Sequence, residues 1–460
     1  MDGGQATDIL PTAVTLKQDG CKSYGWQALT DGEKMAYTGT YLAFKLDLLN
    51  KESHTSAIGD VSGRSAIKIN QLLTDFFSYI LKEVQDIIQP ILLELYGVKW
   101  YQANIHLVLT QPAVGNAERR SKYWTDLKDG FKSAGFSALN HQIIGSLEEP
   151  LAAARYVLQR KYDSNAINFK TGDTCILADV GGGTADVCAL YIKDLETFDV
   201  SYIGTRDLRG TMIGGTMLNK YLEEALINYL RSHQHLLRDG ISPIDASRVL
   251  AWSSKSTLAK IKIGTTPYPG TLSEFIKFTS EALFKDSSSK DKTLGGLRFD
   301  LSDLASSMDH QVFGNGQVGS RGIWGLIGAT IDNISVSGSI HERQTDKKLE
   351  DRAISFNTQA TEAVNVDHII LTGGFGASPY VTTAINMAIT RDKGLPPGLQ
   401  TGRPKYENIG TDRVRVSGKP QLCVVLGLLD AYRTQLLAEA TPVNKTRFSF
   451  HKSWPFIQKR

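Results

Sequence analysis

Residues 179 to 186 read Asp179-Val-Gly-Gly-Gly-Thr-Ala-Asp186, a glycine triplet set between two carboxylates with a hydroxyl beside it. Three glycines at a turn let the backbone approach a ligand with no Cβ in the way. The N–H groups of Gly181, Gly182 and Gly183 can converge on phosphate oxygens as an anion-binding nest. Asp179 is suited to a magnesium ion held through its waters, with Thr184 and Asp186 setting a hydroxyl and a second carboxylate beside the phosphates. Positioning and electrostatics are most of what phosphoryl transfer asks of a protein. The same residues also make a tight turn whose glycines only supply positive φ, and alone they divide the two readings evenly.

Other segments carry candidate chemistry. Glu148-Glu149-Pro150 opens the alanine-rich run Leu151-Ala-Ala-Ala154, and Gly214-Gly215 precedes an apolar helical pattern. Leu371-Thr-Gly-Gly-Phe-Gly-Ala-Ser-Pro-Tyr380 sets Gly373, Gly374 and Ser378 between a strand and a helix. His233 and His235 stand at i and i+2 and face different sides of a helix, a poor metal pair. His106, in an apolar strand, reads as a core residue, and Trp100, Tyr101 and Trp124 read as packing. None of the four cysteines, Cys21, Cys175, Cys188 and Cys423, sits in a CxxC pair, so neither a zinc site nor a disulfide framework is indicated.

The elements that must position these residues alternate between helix and strand. Ile69, Leu72, Leu73, Phe76, Phe77, Ile80, Val84, Ile87, Ile88, Ile91 and Leu95 recur at helical steps, with Pro90 predicted to kink or divide the helix and Gly97 to stop it. Asn104–Thr110 reads as a buried strand bounded by Pro112. Asn116 caps a helix to about Ala134, with Gly135 at its end. Gln142–Ile144 reads as strand and Glu149 to about Arg160 as helix. Thr174–Ala178 and Ala185–Ile192 flank the glycines as a β-hairpin. Met217–Arg231 and Ala246–Ile263 read as helices. Residues 268 to 296 are polar, with an exposed loop at Asp286–Lys292, and a glycine-rich loop follows at Gly314–Gly322. Asp367–Thr372 is again a strand, followed by a helix from Ser378. This alternation predicts α/β construction around a largely buried sheet.

Taken together, these segments resemble the 70-kDa heat-shock chaperone family, within the superfamily of actin, sugar kinases and heat-shock ATPases. Asp179–Asp186 is similar to the family's second phosphate-binding loop. Leu109-Thr-Gln-Pro-Ala113, then Arg119, Arg120 and Ala134-Gly135-Phe136, resembles its strand, proline and long helix. Glu148–Ala154 is similar to its glutamate-proline-alanine helix start, which implies Glu149 near the magnesium shell. Leu371–Tyr380 resembles the adenosine-binding loop, with Gly373 and Gly374 at ribose and adenine. Gly214-Gly215 is similar to a phosphate-side turn. Lys255, with Leu258, resembles the adenine-clamping helix, but Ser254 and Ser256 stand where an acid and an arginine are expected; an exposed helix lysine reads equally well. The likeness covers about Leu109 to Tyr380, and Phe375-Gly376 and Pro379-Tyr380 are closer to the divergent, short members common in fungi.

The resemblance implies a two-lobed actin-like ATPase fold of duplicated ribonuclease-H-like sheets, with ATP or ADP and Mg²⁺ in the cleft. Residues 1–170 would form the first lobe, 171–418 the second, 419–440 a return to the first, and 441–460 a tail. The family opens with a hairpin carrying an aspartate, a glycine and paired threonines. Here only Met1-Asp2-Gly3-Gly4-Gln5 stands in that place, so the first phosphate loop is expected to be missing and hydrolysis weak or absent. A truncated sequence and a genuine pseudo-ATPase both fit. Only 24 residues follow Leu436, too few for a peptide-binding β-sandwich. Nucleotide is the expected partner, with co-chaperone or client proteins as further ones. A formal net charge of +3 over 460 residues gives no case for nucleic acid or an anionic membrane. No signal-like or membrane-spanning run is present, and a cytoplasmic protein is expected. Two other readings keep the fold: an interaction protein without nucleotide affinity, and a sugar-kinase-like phosphotransferase.

Overall fold

The computed structural model describes residues 12–17, 19–34, 40–42, 48, 54–55, 67–111, 117–159, 168–195, 199–203, 209–211, 213–253, 255–256, 260, 275–279, 283–285, 296–300, 308–309, 311–313, 322–337, 366–390, 414–417, 420 and 422–439. Met1–Gln5, Pro112, Asn116, Arg160, Leu258, Asp286–Lys292, residues 314–321 and the tail 441–460 lie outside them.

The architecture is mixed α/β, with several sheets. The chain begins with β1 (Ala13–Leu16), β2 (Lys22–Tyr24), α1 (Gly25–Lys34) and β3 (Thr40–Leu42), the strands forming an antiparallel sheet in the order β2-β1-β3. A short pair, β4 (His54–Thr55) and β5 (Ile67–Lys68), leads into α2 (Ile69–Tyr96). Then follow β6 (Ile105–Gln111), α3 (Ala117–Ser133), β7 (His141–Glu148) and α4 (Glu149–Gln159), with β6 and β7 parallel. Next come β8 (Thr174–Val180), β9 (Ala185–Asp194), β10 (Asp199–Tyr202) and β11 (Arg209–Thr211), then α5 (Gly215–Ser232) and α6 (Pro243–Ala251). The pair β12 (Phe275–Thr279) and β13 (Gly296–Asp300), helix α7 (Ile323–Ser337), β14 (His368–Thr372), α8 (Pro379–Thr390), β15 (Val414–Val416) and α9 (Cys423–Glu439) complete the described elements.

The sheet that positions the glycine triplet has the order β10-β9-β8-β14-β15, with β11 also on β9. β8 runs antiparallel to β9 and parallel to β14, which runs parallel to β15. All of β8 is buried, so both faces are covered, as its unbroken apolar run requires. Strand alternation sorts the side chains. Ile176, Ala178 and Val180 of β8 and Ala185, Val187 and Ala189 of β9 face a cluster holding Leu218, Leu222, Leu226 and Leu230 of α5. Spaced four apart, these leucines line one stripe of α5, and burying each stabilises the fold by about 2 kcal/mol. Cys175, Leu177, Cys188, Leu190 and Ile370 face the other way, onto Ala153, Ala154 and Val157 of α4 and Cys423 of α9. α9 is clamped to α4 by Arg155, whose Nε donates to Asp430 Oδ2 at 2.7 Å and whose Nη2 donates to Thr434 Oγ1 at 2.8 Å.

Several expectations need correction. α2 is not divided at Pro90, and both Pro90 and Asp86, whose carbonyl loses its donor, are exposed. Its buried residues are Ile69, Leu72, Leu73, Phe76 and Phe77, where Phe77 stacks on Phe131 of α3 at 3.8 Å between centroids. Ile87, Leu93 and Leu95 further along are exposed. β6 is half-buried rather than buried, and His106 on it is exposed, against Tyr432 of α9. The helix expected over Ala246–Ile263 starts earlier, at Pro243, where Ser242 accepts the Asp245 N–H, and is interrupted after Ala251, with Lys255, Ser256 and Lys260 helical again. Ser253 and Ser256 both donate their hydroxyls to the Leu250 carbonyl, an alternative to continuing the helix there. The polar stretch 268–296 holds β12, and α7 was not anticipated.

Candidate functional site

Gly181–Thr184 join β8 to β9 as the expected hairpin. The ladder runs to its end with Asp179 opposite Asp186 and Val180 opposite Ala185, and the Gly181 N–H donates to the Thr184 carbonyl at 2.9 Å. Residues directly opposite in an antiparallel pair share a face, with Cβ atoms about 5 Å apart. Asp179 and Asp186 therefore lie side by side, on the face turned toward α4 and α9, and both are buried. Thr372, at the matching position of β14, donates its hydroxyl to Asp179 Oδ1 at 2.9 Å. Thr184 is buried as well.

Negative charge gathers on this face. The Cys188 thiol, two residues beyond Asp186, is pushed well up by burial first and then by the charges of Glu148, Asp186 and Asp179. Glu148 ends β7 and accepts the Tyr202 hydroxyl at 2.9 Å. Glu149, the acid singled out from the sequence, is half-buried at the first position of α4. It is Glu148, which sequence reasoning passed over, whose charge reaches Cys188.

Gly214 and Gly215 do meet the triplet. The Gly215 N–H donates to the Gly181 carbonyl at 3.3 Å, and the Thr216 N–H to the Gly182 carbonyl at 2.6 Å. Thr216 Oγ1 donates to the same Gly182 carbonyl at 2.7 Å. A Cβ on Gly214 would stand 2.7 Å from both carbonyls, so glycine is what permits this approach. A trans peptide is planar, with its C=O and N–H pointing opposite ways. Two carbonyls fixed on α5 therefore turn the N–H groups of Gly182 and Gly183 away from α5. α5 covers one face of the sheet, and Asp179 and Asp186 occupy the other. Two backbone donors and two carboxylates thus lie on the side away from α5.

The turn after β14 closes over the same strand end. Gly373, at φ +79°, receives the end of β8 so closely that a Cβ would stand 2.3 Å from the Val180 carbonyl. The N–H groups of Phe375 and Gly376 both donate to that carbonyl at 3.0 Å, and the Gly373 N–H donates to the Pro420 carbonyl at 2.9 Å. Gly374, at the crest of the turn, is exposed. Ser378 is buried before α8, where its carbonyl accepts from the N–H and Oγ1 of Thr382 at 3.0 and 3.1 Å. The glycine segments 181–183, 214–215 and 373–376 thus meet around Val180, Gly181 and Gly182.

No known protein family and no curated protein matches this chain.

Lys255 and His233 make contacts of their own. Lys255 extends to β12, where Nζ donates to the Lys277 carbonyl at 3.2 Å. His233 ends α5 and stacks on Tyr229 at 4.1 Å between centroids, its Nδ1 3.0 Å from the Tyr229 carbonyl, with His235 at 6.0 Å. Among the described residues no group of three or more His, Cys, Asp and Glu is placed to hold a metal ion. Asp179 and Asp186 are hard oxygen donors on one face, Asp179 at 7% and Asp186 at 1% exposure. Among the described residues no helix is long and apolar enough to cross a membrane.

Proposed function

We propose that this chain binds ATP or ADP with Mg²⁺ at the β8–β9 tip, in a two-lobed actin-like ATPase fold of the heat-shock type. The reading rests on two features together: the Gly181 and Gly182 carbonyls are held by the N-terminus of α5, which turns the Gly182 and Gly183 N–H groups away from it, and Asp179 and Asp186 pair across the strands on the face opposite α5. Phosphate oxygens need such convergent donors. A magnesium ion between them and the carboxylates would neutralise both anions and hold the phosphates in register. Thr184 stands beside the glycines to orient an attacking water, and Gly373 and Gly374 form the neighbouring loop for the adenosine. Binding is the property these groups supply directly: backbone donors and a metal tether suffice for it. Weak or absent hydrolysis accords with that division, and lobe closure on nucleotide is the motion it would drive. Co-chaperones or client proteins would then respond to the closed state.

Thermal unfolding with and without Mg·ADP and Mg·ATP tests the proposal. A Cβ on Gly182 meets nothing within 4 Å, so Gly182→Val should fold while adding a branched side chain at the tip. Wild type should be stabilised by millimolar nucleotide in a saturable way and the Gly182→Val variant should not. Equal behaviour of the two proteins, or no shift in either, contradicts the proposal.

A further inference from the structure

Thr216 makes a contact that its sequence context does not announce. It is the second residue of α5, and it places two donors, its N–H and its hydroxyl, on one acceptor 34 residues earlier, the Gly182 carbonyl. Any residue except proline would supply the N–H. Only threonine or serine adds the hydroxyl, and the short 2.6 and 2.7 Å contacts show that both donors are engaged together. The acceptor belongs to the peptide whose other end is the Gly183 N–H. Fixing one end of a rigid plane fixes the direction of the other.

We infer that Thr216 is a positioning residue for the anion site, one that couples the seating of α5 to ligand binding at the glycine tip. The inference rests on the nucleotide reading above and adds its regulation. When a phosphate oxygen accepts from the Gly183 N–H, the peptide is polarised and its carbonyl becomes a stronger acceptor for Thr216. The two contacts therefore reinforce each other across one peptide group. By linkage the effect is reciprocal: whatever Thr216 adds to ligand affinity, ligand adds to the hold on the α5 N-terminus. Gly214 belongs to the same device, because a side chain there would separate α5 from both carbonyls. The rest of α5 carries four buried leucines of the larger core, so a change at the tip is passed to a rigid element.

The test uses the full chain, Mg·ADP as the probe, and the substitutions Thr216→Val and Thr216→Ser. Valine keeps the shape and loses the hydroxyl, and serine keeps the hydroxyl and loses a methyl group. Titration calorimetry should give a dissociation constant at least tenfold weaker for Thr216→Val and within twofold of wild type for Thr216→Ser. Hydrogen exchange of wild type gives a second readout that needs no variant to fold. Saturating Mg·ADP should slow exchange of the Thr216 and Met217 amides at least tenfold. Wild-type affinity in Thr216→Val, equal loss in both variants, or unchanged exchange at Thr216 overturns the coupling while leaving nucleotide binding in place. No saturable binding to wild type overturns both.

Discussion

Thr372 Oγ1 donates to Asp179 Oδ1 at 2.9 Å, joining the ends of two parallel strands that lie 193 residues apart in the sequence. The bond occupies one oxygen of Asp179 and orients the carboxylate at the strand end, where the proposed magnesium tether needs it. Asp179→Asn keeps the shape and removes the charge. Its affinity for ADP should lose dependence on Mg²⁺, so that adding EDTA weakens wild type at least tenfold and the variant less than twofold. Any ATPase should fall at least tenfold, a barrier increase of about 1.4 kcal/mol. An unchanged response to EDTA in Asp179→Asn would remove the aspartate from the metal site.

Gly373 and Gly240 separate backbone strain from crowding. Both have positive φ, +79° and +85°, but a Cβ at Gly240 meets nothing within 4 Å whereas one at Gly373 would overlap the Val180 carbonyl at 2.3 Å. Alanine at Gly240 should cost about 1–2 kcal/mol, the usual left-handed penalty. Alanine at Gly373 should cost about 3–5 kcal/mol, since the end of β8 must also move. Urea unfolding of the two variants checks the order, and equal midpoints would mean that the turn after β14 does not press on β8.

The four thiols should differ sharply in reactivity. Cys21 is exposed, while Cys175, Cys188 and Cys423 are buried. Burial, then the Asp173 and Asp367 charges, raises the Cys175 thiol, and Cys188 is raised in the same way by its own neighbours. Only the thiolate reacts. Native protein should therefore take up about one equivalent of iodoacetamide rapidly at pH 8, at Cys21, and the rest only on unfolding. Because both buried thiols are raised, their contribution to stability is present below the ordinary thiol value and declines as pH climbs above it. Fast labelling of Cys188 in folded protein would contradict the buried acidic face.

Lys260 gives a pH effect of the opposite sign. Its Nζ donates to Asn219 Oδ1 on α5, and burial lowers its ammonium from 10.5 to about 8. Between those values the unfolded chain holds a proton that the folded chain has released, so stability rises with pH. Wild type should gain stability relative to Lys260→Met from pH 8 to 10.5, and the difference should be flat below pH 7. A difference that is flat throughout would place Lys260 in solvent.

Much of this arrangement was legible because its signals are local. A glycine triplet between two β-branched and alanine-rich runs reads as a hairpin, and the Gly373 turn between Leu371 and Tyr380 reads as strand, turn and helix. What escaped depends on partners far away in sequence. Thr216 looks like an ordinary residue of a helix's first turn until the Gly182 carbonyl is beside it, and Glu148 looks like a strand end until Cys188 and Tyr202 are packed against it. The early end of α6 turns on two serine hydroxyls competing for the Leu250 carbonyl, which propensity alone does not register. α7 went unread because Ile323, Leu326, Ile327, Ile331 and Ile334 are buried within a stretch without a charged face to mark its period.

Phosphate recognition by the backbone of the β8–β9 tip can be measured by titration calorimetry of the full chain with Mg·ADP against adenosine. Mg·ADP should bind saturably and one to one, and adenosine at least a hundredfold more weakly, because with adenosine the Gly182 and Gly183 amides have no phosphate to meet. Equal affinity for the two ligands, or no saturable heat with Mg·ADP up to millimolar concentration, would contradict it.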